Sequence, residues 1–200
     1  MSQKRYFPFK KTSSPTPPTP VLEPLTFYND TGSSRNIKLQ TSGSPQAITL
    51  QYNKNDTGWT DYSVGTQIEL NNGDWVRLSG DNDHFSSSTS KYYYFYTSDA
   101  GLKCSGDVQS LMGYRKVLPN GCYYSLLCGC NLAGCTPKMT VTDVGVSACY
   151  KMYRSNNWTD AYELPATGLA NLCYRSMFNH CQSLTGAPTL PATTMALSCY

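Results

Sequence analysis

The chain has 200 residues, enough for one large or two small cores, and only 14% of them are charged. Its net charge of +3 is unevenly placed: Lys4, Arg5, Lys10 and Lys11 precede the first acid, Glu23, and the remaining 12 basic residues face 13 acidic ones. A near-neutral body argues against a nucleic-acid-binding face, and no apolar run of about 18 residues is present to span a membrane.

Residues 1–24 combine a basic, aromatic start, MSQKRYFPFKK, with a proline-rich stretch that favours an extended spacer. The start lacks the apolar core of about 7 to 15 residues that a secretory signal needs. Two readings are open, a disordered tail and a docking peptide. As a docking peptide, Tyr6, Phe7 and Phe9 supply buried area, while Lys4, Arg5, Lys10 and Lys11 pair with acids of a partner.

Residues 25–117 change to short alternating segments divided by turns. Strands are expected at Leu25–Tyr28, Asn36–Gln40, Ala47–Asn53, Thr66–Leu70, Asp74–Ser79, Lys91–Thr97 and Leu102–Ser105, with no helical period among them. This pattern predicts a small antiparallel β-sandwich. Ile68–Leu78 reads as its clearest hairpin, with Trp75 helping to close the core. The strand around Tyr92, Tyr94 and Tyr96 carries aromatics on both faces, so one face is either a stacking platform for sugars or covered by a neighbour. Asp81, Asp83 and His84 lie in a loop that reads as a solvated turn or, less simply, as a calcium site without the usual ligand spacing. A hinge with a short helix or turn at Val108–Leu111 is expected over Asp107–Asn120.

Residues 118–200 repeat. LPATGLANLCYRSMFNHCQSL, Leu164–Leu184, begins again at Leu190 as LPATTMALSCY, and in both copies Cys-Tyr follows Leu-Pro-Ala-Thr at the same distance. The pairs Cys122-Tyr123, Cys149-Tyr150, Cys173-Tyr174 and Cys199-Tyr200 recur at nearly constant intervals. In this register Leu126-Leu127 and Tyr153-Arg154 occupy the place of Met177-Phe178, and Asn157 that of Cys181. Apolar residues at i, i+1, i+4 and i+5 predict a short inward-facing helix in each unit. The expected repeat core is Cys122, Tyr123, Cys149, Tyr150, Leu164, Cys173, Tyr174, Met177, Phe178, Cys181, Leu184, Leu190 and Cys199. The last copy breaks off before its Met-Phe and Ser-Leu partners, which predicts that the natural protein continues.

These units resemble the BspA-like leucine-rich repeats, whose pattern is close to LPATxLAxxCYxxMFxxCxSL. The likeness is strong from Leu164 onward and partial from Cys122. Gly58–Gly80, GWTDYSVGTQIELNNGDWVRLSG, is similar to a β-domain that often precedes such repeats in phage and gut-bacterial proteins. The resemblance implies a binding or structural role like that of virion fibre proteins of crAss-like phages, and it implies no catalysis.

Eight of the nine cysteines lie from Cys122 onward and read as small apolar fillers of a repeat core. Cys122, Cys128, Cys130 and Cys135 offer a zinc alternative without a C-x-x-C pair. No nucleophile elbow, phosphate loop or H-E-x-x-H is present, so neither an enzyme nor a cofactor is expected. The expected protein is mainly β: an anchor peptide, a sandwich and a repeat solenoid. It is read as a virion head fibre held to a capsid protein by residues 1–11, homotrimeric as fibres commonly are, and presenting its repeats to a host-surface glycan. A tail fibre and a BspA-like surface adhesin are the alternatives, and a soluble glycan-binding module resting on the tyrosine strand is a third reading.

Overall fold

The computed structural model describes residues 22–200. The proposed anchor residues Lys4, Arg5, Tyr6, Phe7, Phe9, Lys10 and Lys11 therefore lie outside the described residues. The protein is mainly β, with three open sheets. Its strands are β1 Leu25–Tyr28, β2 Arg35–Ser42, β3 Leu50–Lys54, β4 Thr60–Tyr62, β5 Ile68–Leu70, β6 Trp75–Ser79, β7 Tyr92–Thr97 and β8 Lys103–Ser105. After a 3-10 turn at Val108–Leu111 follow β9 Val117–Leu118, β10 Ala133–Cys135, β11 Asp143–Val144, β12 Asn157–Asp160 and β13 Gly168–Leu169.

All seven expected strands of the first part form, and β4 is an additional one. They fall into two antiparallel groups, β5-β2-β7 and β8-β1-β6-β3-β4. Alternation turns Phe27 and Phe95 inward from the two groups, where their rings meet at 5.0 Å. The Tyr62 hydroxyl, which accepts from the Leu39 amide and donates to the Thr66 carbonyl, ties β4 to the opposite sheet.

The expected hairpin at Ile68–Leu78 does not form. β5 pairs with β2, whereas β6 pairs with β1 and β3, so residues 71–74 cross from one sheet to the other. The crossing is built around Asn29, whose buried amide donates to the Leu70 carbonyl and whose backbone exchanges bonds with Asp74 and Gly73. Asp74 closes it by accepting from Lys54, Asn55 and the Asn71 amide, and these bonds hold its carboxyl down at about 2. Alternation along β6 puts Trp75 on the outer face with Arg77, where it is half-buried with the Arg77 guanidinium 4.2 Å above its ring. Val76 and Leu78 fill the core in its place.

Of the segment expected as a hinge, residues 107–112 are deeply buried, whereas among residues 113–120 only Leu118 is. Val108, Leu111 and Met112 are fully enclosed, and the Ser110 hydroxyl accepts from the Leu25 amide and donates to the Leu78 carbonyl. Asp107 caps the turn by accepting from the Gln109 amide and the Thr140 hydroxyl. From here the large sheet continues: β10 pairs in parallel with β8, and β12 in parallel with β10. A second parallel ladder, β9-β11-β13, joins Val117 to Asp143 and Asp143 to Gly168. One hydrophobic cluster runs through both parts.

The repeat units contain no helix at their Cys-Tyr segments. Gly121, Ser125 and Gly129 have positive φ, as do Ser147, Lys151 and Ser155, then Leu172, Ser176 and His180. A left-handed residue at every fourth position interrupts the helical path. Amides of Tyr124, Leu126 and Cys128 close tight turns onto residues three back. Those of Tyr123, Ser125 and Leu127 donate instead across to Ala148, Tyr150 and Met152 of the next unit. Backbone bonds thus alternate between local and inter-unit partners, where a helix would keep them all within one unit.

The positive-φ residues also correct the register. Gly121, Ser147, Leu172 and Ser198 are equivalent, and they are spaced more evenly than the Cys-Tyr pairs. In the second unit Ala148-Cys149 therefore occupies the Cys-Tyr place, Met152-Tyr153 the Met-Phe place and Asn156 the place of Cys130 and Cys181. Tyr150, expected in the core, falls one position outside it and is only half-buried.

Candidate binding face

The outer side of β7 carries the candidate face. Tyr93 and Phe95 point inward, Tyr92 and Tyr94 are half-buried, and Tyr96 is 44% exposed. Antiparallel pairing with β2 sets Lys38 opposite Tyr96, and its ammonium lies 5.2 Å from the ring centre. The row does not stop at the sheet. Tyr92 lies 5.9 Å from Tyr94 and 4.9 Å from Tyr124, and Tyr124 is stacked on Tyr150 at 5.4 Å with their planes 12° apart. The Lys151 ammonium sits 5.0 Å from the Tyr150 ring. Burial raises the Tyr124 phenol, reinforced by Tyr92 and Tyr150 beside it, so this phenol is neutral at ordinary pH.

Tyr92, Tyr94 and Tyr96, expected as surface binders, thus share one face, and the fold adds Tyr124 and Tyr150. Sequence reading overlooked Tyr124 and misplaced Tyr150. The available signal was the doubled Tyr123-Tyr124: the first Tyr is fully buried and the second is the outward residue.

Of the expected repeat core, Cys122, Tyr123, Cys149, Leu164, Cys173, Tyr174, Met177 and Cys199 are buried, and Phe178, Cys181 and Leu184 are partly buried against them. Leu190 is a correction, being 40% exposed. The Leu164 amide bonds to Thr189 of the following segment, whereas among the described residues no further segment packs over Leu190.

The nine cysteines are free thiols. Burial pushes Cys122 up to about 12 and raises Cys104, Cys130 and Cys149 strongly, which removes their nucleophilic thiolate. Cys122 packs its sulfur 3.4 Å from that of Met112, and the Cys130 thiol donates to the Phe95 carbonyl at 2.8 Å. Among the described residues no three His, Cys, Asp or Glu side chains converge on a metal-sized site. The loop carboxylates Asp81 and Asp83 are held by the Arg115 guanidinium at 2.6 and 2.8 Å, so a side-chain cation stands where calcium would sit. His84 and His180 are exposed.

Comparison of the chain with protein-family models, curated proteins and solved structures finds no match. Among the described residues no helix is long and apolar enough to cross a membrane.

Proposed function

We propose that this chain is a structural protein of a phage virion, a head fibre whose repeats form a BspA-like leucine-rich solenoid projecting from an antiparallel β-sandwich. The observation that supports it best is the unbroken sheet β12-β10-β8-β1, in which parallel rungs from successive units are added directly to the strands of the first part. Such a joint transmits load through backbone hydrogen bonds and a common core, as a projecting fibre requires, and it leaves no flexible linker between base and repeats. The basic and aromatic start of the sequence suits the opposite end to a capsid protein, with the chains assembled as a homotrimer. The role is one of binding and architecture, without catalysis or cofactor.

Mass spectrometry of purified phage particles and, in parallel, of the host envelope tests this. The expected result is the protein in particles, at a stoichiometry in multiples of three. Recovery in the envelope alone would exclude a virion role and favour a surface adhesin.

A further inference from the structure

The tyrosine row lies within an unbalanced field of charge. β2, β7 and the three turn runs 121–130, 147–156 and 172–181 together contain none of the chain's 13 acidic residues, and the acid of the same sheet, Glu69 on β5, pairs with Asn36 at the end of the row away from Tyr92. They contain Arg35, Lys38, Lys151, Arg154 and Arg175. Arg35 is spent on backbone carbonyls at the far end of β2, but Lys38 and Lys151 lie over tyrosine rings, and Lys91 immediately precedes Tyr92. The turn register places Arg175 one unit beyond Tyr150, where it is exposed, and Lys151 donates its amide to the Arg175 carbonyl. Among the described residues none of Lys38, Lys91, Lys151, Arg154 and Arg175 forms an ion pair, and the Arg154 Nε is buried without an acceptor. The repeat acids Asp143, Asp160 and Glu163 lie outside these runs, the first two on β11 and β12.

We propose that this face, centred on Tyr92, Tyr124, Tyr150, Lys151 and Arg175, binds an acidic polysaccharide, a glycan chain bearing carboxylates. Cations without carboxylate partners are complementary to regularly spaced anions, and the surplus is local because the body as a whole is near neutral. The rings choose the class of polymer. Tyr124 and Tyr150 each give one face to the other, Tyr92 packs at 63° against Tyr124 and the Lys151 ammonium lies over Tyr150, so the pair offers chiefly edges and hydroxyls, which hydrogen-bond to a hydroxyl-rich chain. Nucleic-acid bases need free ring faces on which to stack. Tyr92 and Tyr94, tilted by 50° and half-exposed, add amphipathic surface beside them. Repetition of the units lays these contacts along one line, as a linear polymer requires.

This inference deepens the proposed fibre role by naming the ligand class of its repeats. Affinity electrophoresis of the full chain tests it, with polygalacturonate as the acidic probe, dextran as the neutral one and a single-stranded oligothymidine as competitor. The expected result is retardation by polygalacturonate and not by dextran, weakening with salt. The Lys151→Gln/Arg175→Gln double variant should bind about fivefold to tenfold more weakly, as loss of two partly screened charges implies. Lys116→Gln/Lys138→Gln, an equal change of charge elsewhere on the molecule, should bind like the parent, and equal circular dichroism melts will show that all three proteins are folded. No retardation, equal retardation by dextran, equal weakening in both double variants, or complete displacement by the oligothymidine would each overturn the proposal. Polygalacturonate binding by a protein absent from particles would leave this face standing and refute the fibre reading, and presence in particles without binding would do the reverse.

Discussion

Asn156 shows how a single substitution is absorbed by a repeated structure. Neighbouring units place a cysteine at this position, and those thiols donate to the Phe95 and Tyr153 carbonyls. The amide does more. Its nitrogen donates to the Leu127 and Tyr153 carbonyls at 2.6 and 3.0 Å, and its oxygen accepts from the Leu132 amide at 2.9 Å, with the residue 2% exposed. It therefore stitches the second unit to the first. Replacement by Ala strands these buried groups, and we expect a loss of about 2 to 3 kcal/mol in urea denaturation. Asn156→Asp should be at least as damaging, because a carboxylate would face two carbonyl oxygens without a proton to donate. Equal stability of parent and Ala variant would show that water replaces the amide.

Each turn run holds its shape by placing one residue in every four in the left-handed region. Glycine takes that position at residues 121 and 129, but Ser125, Lys151, Ser155, Leu172 and Ser176 adopt it with a side chain. An L-residue in this conformation costs about 1 to 2 kcal/mol, and the bonds across to the next unit offset it. Ser176, at φ 57°, is the cleanest test. Ser176→Gly should raise the melting temperature, gaining about 0.5 to 1 kcal/mol, whereas Ser176→Val should lower it by about 1 to 2 kcal/mol. Were these segments short helices, the order of the two variants would be reversed, since glycine is the poorer helix former. A thermal melt of the pair therefore discriminates the two backbone geometries.

What makes one molecule of the two parts is the buried passage from Asp107 to Met112 between them. Leu111 is wholly enclosed in the cluster that both parts share, and the β8-β10 pairing spans the same boundary. Separate sheets on a hinge would melt independently. A shared core predicts one calorimetric transition for the full chain, and Leu111→Ala should shift it as a unit while costing about 2 to 5 kcal/mol. Two resolved transitions, with only one moved by the variant, would contradict this.

The strands and the repeat are legible along the chain because both are written in local periods. Alternation of apolar residues located seven of the first eight strands, and recurrence of Leu-Pro-Ala-Thr and Cys-Tyr marked the units. It also placed Tyr92, Tyr94 and Tyr96 on one side of a strand, since a side-chain period of two admits no other arrangement. Partners were not legible in this way. Ile68–Leu70 and Trp75–Ser79 look like a hairpin along the chain, and only the corner at Asn29 sends them into different sheets. The Cys-Tyr-x-x-Met-Phe spacing fits a helix equally well, and bonds to the next unit decide for turns. Tyr124 and Tyr150 joined the tyrosine row for the same reason: their register depends on which backbone groups meet across consecutive units. Local pattern fixes which face a residue presents, whereas long-range hydrogen bonding and shared burial, invisible along the chain, fix what that face meets.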